Sequence, residues 1–127
     1  MTDQRIILEM GMGNDLYGMD YNKAAARAIE DALRHSTLPL FETLAIPHDQ
    51  MRVAVTIGVQ DPDALDLALL TTKLPRGNPT VTATKGGLNV HNPETGQTAV
   101  IATAAIEAHL PNQSHNWRAS EKTGLIA

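Results

Sequence analysis

QTAVIATAAIEAHL, residues Gln97 to Leu110, is the stretch on which the fold turns. Its apolar run takes in Val100, Ile101, Ala102 and the segment from Ala104 to Ala108. An alanine-rich run of this length satisfies the period of a strand and the period of a helix alike, so periodicity alone does not arbitrate. We read it as the fourth strand of a sheet, with a helix as the competing reading.

Upstream, the polar turn HNPETG (His91 to Gly96) separates this run from a third strand, Thr80 to Lys85, which alternates in polarity and is broken by Lys85-Gly86-Gly87. The connector LPRGNP (Leu74 to Pro79) is rich in turn residues. It follows a helix expected over Ala64 to Thr72, opened by Gln60-Asp61-Pro62-Asp63 with a cap, a proline at the first helical position and a first-turn acid. RVAVTIGV (Arg52 to Val59) sets Val53, Val55, Ile57 and Val59 on one face and Ala54, Thr56 and Gly58 on the other, the strict alternation of a strand.

A helix capped by Asp20 or Asn22 runs to about His35, with Ala25, Ala28, Ile29, Ala32 and Leu33 recurring at threes and fours. Its small stripe lets it lie close to a sheet. The first strand spans Arg5 to Met10, with Ile6, Ile7 and Leu8 consecutive, and then meets a glycine turn. The order strand, helix, strand, helix, strand, strand implies an α/β (α+β) two-layer sandwich: a four-stranded mixed sheet with both helices on one face. Residues 1–110 form the expected single domain. Residues 111–127 are a polar tail, apart from Trp117, expected to be disordered or laid on a neighbouring subunit.

Composition narrows the function. Among 127 residues 43% are apolar but only 3% aromatic, so the core is built from Ala, Val, Ile, Leu and Met. That shortage of bulk, with a sheet face that the two helices leave bare and no charged row to protect it, points to a homo-oligomer. A net charge of −4 with interspersed signs supplies neither a basic patch for nucleic acid nor a cationic stripe for a membrane. Without cysteine there is no disulfide, thiolate metal site or thiol nucleophile. The N-terminal run ending at Glu9 is neither a signal segment nor a span, and the cytoplasm is the expected compartment.

Gly11-Met12-Gly13-Asn14-Asp15-Leu16-Tyr17-Gly18 joins the first strand to the first helix, the junction where α/β proteins place ligands. It matches neither a dinucleotide fingerprint nor a Walker loop. In a ligand site, the amides of Gly11, Gly13, Asn14 and Gly18 would cradle an anion or carbonyl, Asp15 would act as general base or anchor, and Tyr17 as donor. Lys85, with Gly86 and Gly87, would complete the pocket at the end of a third strand parallel to the first. The plain alternatives are a structural turn with Asp15 as an internal cap, and a solvated Lys85 before a hairpin bulge.

The spacing GxGxDxxG, with Gly58-Val59-Gln60-Asp61-Pro62 and Gly86-Gly87-Leu88 downstream, resembles the conserved hypothetical "Lin five-twelve" family over most of residues 5–110. The family motif is GxGxDxHG, and Tyr17 stands where it has histidine. If that histidine is a metal ligand or proton carrier, Tyr17 supplies only a weakly acidic hydroxyl. The resemblance implies a relative and no assigned activity.

Histidines 35, 48, 91, 109 and 115 lack metal-ligand spacing, so no metal is expected, with His91, His109, Asp15 and Glu107 the residues left as conceivable ligands. No cofactor is expected either. Ser36, Ser114 and Ser120 sit in no nucleophile elbow. Arg52, Lys73 and Arg76 are isolated cations that could meet an anion across a subunit boundary. Two readings of function follow: binding or catalysis on a small anionic or carbonyl metabolite at the Gly11–Gly18 loop, with ring-opening amide hydrolysis a weaker variant because no serine lies beside Lys85; or a non-catalytic oligomeric or regulatory domain whose glycine motif is architectural.

Overall fold

The computed structural model describes residues 3–35 and 47–114. Ser36, His115, Trp117, Ser120 and the tail beyond Ser114 lie outside the described residues. Seven elements follow in chain order: β1 (Gln4–Asp15), α1 (Tyr21–Arg34), β2 (Arg52–Val59), α2 (Leu67–Thr71), β3 (Asn78–Lys85), β4 (Leu88–Asn92) and β5 (Gln97–Leu110). Single 3-10 turns sit at His48–Gln50 and Pro62–Ala64. The two-layer α/β architecture is as expected, but the sheet has five strands, not four.

β5 is the spine. Along one edge it pairs antiparallel with β1. Along the other it pairs antiparallel with β2 over Thr103 to His109 and with β4 over Gln97 to Ile101, so β2 and β4 lie end to end. β3 closes the far side, parallel to β2. The competing helix reading of Gln97 to Leu110 fails because this run must serve both neighbours: Val100, Ala102, Ala104, Ile106, Ala108 and Leu110 are buried beneath the helical layer, and the alternate residues form the opposite face.

Three local expectations are corrected. First, Gly11 and Gly13 do not turn the chain. β1 continues through them to Asp15, and the turn begins at Leu16. Second, the helix expected over Ala64 to Thr72 is split into the Pro62–Ala64 turn and α2. Asn22 of α1 causes the split: its Nδ2 donates to the Ala64 carbonyl (3.3 Å) and its Oδ1 accepts from the Asp66 amide (2.6 Å). Asp66 then caps α2 by accepting from Leu69 N. Third, β4 is too short and too polar to announce itself. It exists because a tight turn returns it to β5, with the Gly96 amide donating to Asn92 O and Gly96 at φ +74°.

α1 is capped by Asp20, whose side chain accepts from Lys23 N at 3.0 Å, and it buries Ala24, Ala25, Ala28, Ile29 and Ala32 against β1 and β5. The fully buried Ile29, Val55, Ile57, Val59, Leu70 and Val100 make up the heavy part of this core, each contributing roughly 1.5–3 kcal/mol over an exposed side chain. No helix among the described residues is long and apolar enough to cross a membrane.

Candidate functional site

The junction from β1 to α1 shows what the glycine motif does. A Cβ on Gly13 would run into the backbone of Ala24 and Ala28, and one on Gly11 into the backbone of Ala32 and, at 2.6 Å, into the Ala28 carbonyl. Only glycine admits α1 at this distance, and the alanines opposite complete the fit. The amides are committed too. Met12 N donates to Asp31 Oδ2 (3.0 Å) along the free edge of β1. In an antiparallel ladder, donors alternate in direction, so Gly11 and Gly13 turn their amides into β5. They form no cradle.

Asp15 ends β1 on the covered face, only 5% exposed. Its Oδ2 accepts from Asp20 N at 2.9 Å, and its Oδ1 lies 3.8 Å from both Lys23 Nζ and Arg27 Nη1. The carboxylate thereby closes the loop Leu16–Met19 onto the start of α1, where opposite charge and a helix N-terminus both favour an anion. Within the loop, Gly18 (φ +90°) and Met19 (φ +50°) adopt the left-handed conformation, which for Met19 costs backbone strain. Tyr17 is 67% exposed. Asn14 contributes its carbonyl, which accepts from Arg27 Nη1 at 2.6 Å.

Lys85, Gly86 and Gly87 serve a different junction. Gly86 N donates to Val59 O, and Gln60 Nε2 donates to Gly86 O, both at 2.9 Å. Gly87 stands at φ +62°, where a Cβ would strike the Ile101 carbonyl. These contacts steer the chain from β3 over the end of β2 into β4. β1 and β3 do run in the same direction and end at the same end of the sheet. Between them lie β5 and β2, a lateral separation of about 14 Å at ordinary strand spacing. Asp15 and Tyr17 therefore do not converge with Lys85.

The remaining candidates are dispersed. His91 Nδ1 faces Thr98 Oγ1 at 2.9 Å, whereas His109 Nε2 lies 3.5 Å from Glu107 on the opposite sheet face from Asp15. Among the described residues, no three His, Asp or Glu side chains come together as a metal site. Arg52 is paired with Asp3 at 3.0 Å. His48 borders an apolar cavity of about 300 Å³ with Ile7, Leu33, Met51, Leu74 and Arg76, at the end of the sheet away from Asp15.

Two features escaped the sequence reading. Asn89 donates its Nδ2 to Tyr21 Oη at 2.7 Å, and its Oδ1 is buried without a hydrogen-bond partner; a lone Asn in a polar segment carries no signal for this. Asp31, on α1, holds the free edge of β1. The Met12 N–H, followed by His35 and Arg34, lowers its carboxyl pKa, against a smaller opposing effect of desolvation. Gripping that edge occupies a donor that would otherwise invite another strand.

Taken together, the molecule is an open-faced α/β module in which the glycines dock a helix and Asp15 pins a loop. The chain belongs to the Lin0512 family of conserved hypothetical proteins, whose family model matches residues 5–108. It is also similar to a crystal structure of an FtsZ-like protein of unknown function from Nostoc punctiforme PCC 73102. The two share 32% identity over 88% of this chain and 99% of that one, with a TM-score of 0.77. No curated protein matched.

Proposed function

We propose that this chain is a non-catalytic module that works by associating with copies of itself, and that its GxGxDxxG motif is architectural. The observation that carries this reading is the commitment of Gly11 and Gly13 to close packing under α1 and of the Asp15 carboxylate to the start of α1, so that the residues that define the motif serve the fold. The exposed surface agrees. Leu8, Met10, Met12, Leu88 and Val90 stand on the sheet face opposite the helices, each between 43% and 67% exposed. A monomer rarely leaves so many large apolar side chains on one face.

Sedimentation velocity from about 1 to 100 μM tests this, because association makes the measured mass depend on concentration. A mass above that of one 13.7 kDa chain supports the reading; a monomer throughout the range overturns it. A second reading, small-molecule binding, draws on the unpartnered Asn89 Oδ1 beside Tyr21. A thermal-shift screen against anionic and carbonyl metabolites decides it: a hit lost in Asn89→Ala would favour that reading over the first.

A further inference from the structure

The open face is not uniformly apolar; its bulk is sorted by strand. Successive levels across the sheet are set by the pairing register. One level holds Leu8 on β1, Glu107 on β5 and Ala54 on β2; the next holds Met10, Ala105 and Thr56; the next Met12, Thr103 and Gly58. At these three levels the large side chain stands on β1 and the small one on β2; past Gly58, in line with β2, β4 carries Leu88 and Val90. β3 continues the low side with Thr80, Thr82 and Thr84. The result is a ridge along β1 beside a hollow of about 620 Å³ floored by Thr56, Gly58, Thr84, Thr103 and Ala105.

We propose that a second copy of this chain covers this face about a two-fold axis that runs along β5, parallel to the strands, so that each ridge fills the other's hollow. This rests on the self-association proposed above and specifies its geometry. The axis maps β1 of one protomer over β2 of the other and preserves level. Met10 then meets the partner's Thr56, Met12 the partner's Gly58, and Leu8 the partner's Ala54. Past these levels the sense reverses, and the smaller Asn14 comes over the partner's Leu88, which shares its level through Ile101. Large meets small at each position. A two-fold axis across the strands would instead set ridge on ridge.

Size and charge suit a second copy. Three strands across, β1, β5 and the line of β2 and β4, and about ten residues along give a projected area of roughly 500 Å², and side-chain relief brings the accessible area toward the roughly 800 Å² per partner of a standard stable interface. At one end of this face the charges are already paired within the chain, Glu107 with Arg5 at 3.4 Å and with His109 at 3.5 Å, and Arg52 with Asp3 at 3.0 Å; toward the other end Asp31, paired with Arg34, and Lys85 border the hollow. Covering the face therefore leaves each of these carboxylates with a partner in its own chain, and the two Glu107 side chains meet on the axis at the end of the interface, next to the Leu8–Ala54 contact.

Plugging the hollow and then trimming the ridge tests the arrangement. Thr56→Phe should weaken association by about 100-fold, the effect of losing one central contact. Adding Met10→Ala to it should restore most of the loss, because the new ring occupies the space the partner's Met10 vacates. Thermal unfolding run beside sedimentation confirms that each variant is folded. A second arm uses the absence of native cysteine: Ala105→Cys, on the axis, should be captured as a covalent dimer by a short bismaleimide, and Lys73→Cys, outside the sheet, should not. If the wild type self-associates but Thr56→Phe is harmless, or Met10→Ala fails to rescue it, or Ala105→Cys is not captured, the ridge-in-hollow arrangement is wrong and self-association stands. If the wild type is monomeric at all concentrations, both proposals fall.

Discussion

The two faces of one sheet are built on opposite principles. On the covered face, β1 is stripped to glycine at Gly11 and Gly13 and β5 mixes Ala102, Ala104 and Ala108 with larger aliphatics, so that a helix of alanines settles onto backbone. On the open face, the same β1 carries Leu8, Met10 and Met12, all large, apolar and exposed. One strand thus presents bare backbone to α1 at Gly11 and Gly13 and a methionine ridge on its other face. Where a contact is fixed by the fold, backbone proximity and shape fill the space. Methionine, unbranched and adaptable, suits a surface that must accommodate whatever settles on it.

Substitutions that exchange the two principles should be unequal in effect. The largest is expected on the covered face: Gly13→Ala places a methyl group against α1 backbone that has no side chain to swing aside, and should cost about 3 kcal/mol or more by urea denaturation. A loss below about 1 kcal/mol would show that α1 does not need the glycine. Next comes Asp15→Ala, which orphans the Asp20 amide and removes the carboxylate from beside Lys23 and Arg27; roughly 2 kcal/mol is expected, and less for Asp15→Asn, which keeps an acceptor. On the open face Met10→Ala should alter the stability of the isolated protomer by no more than about 0.5 kcal/mol while weakening association, so a large stability loss there would erase the distinction between faces.

The smallest effect concerns pH. Asp31 titrates below the ordinary 3.8 of an aspartate because its charged form accepts the Met12 amide. Its contribution is thus fully present above that value and is lost as pH falls through the lower folded-state value. Acid titration of Asp31→Asn should show a shallower loss of stability below pH 3.8 than the wild type, and an identical slope would mean that the edge contact does not survive in solution.

Much of this was legible in the residues, for reasons that differ by element. β2 declares itself because its valines and isoleucine face a core while Ala54, Thr56 and Gly58 face away. α1 is written in its alanine stripe and Asp20. The glycine motif was legible as important but ambiguous in role: two glycines after a strand read as a turn, and only the alanines of α1, ten to twenty residues on, reveal that they are a docking groove. The break at Asp66 was invisible because it depends on Asn22, a residue more than forty positions away. Convergence of Asp15 with Lys85 failed for a related reason: direction along a strand can be guessed from the chain order, but β5 and β2 intervene only through long-range pairing.

The pairing of β1 with β5 sets a timetable for synthesis. Gln4 lies opposite Leu110, so on leaving the ribosome β1 waits for β5, roughly a hundred residues later. At ordinary elongation rates, that delay is about 5–20 s. Throughout it, a segment bearing Leu8, Met10 and Met12 has neither its neighbour in the sheet nor a partner to cover it. The nascent chain is therefore most open to chaperone capture or misassembly at β1, and joining β1 to the end of β5 in a circular permutant should speed folding by making this long-range contact a local one.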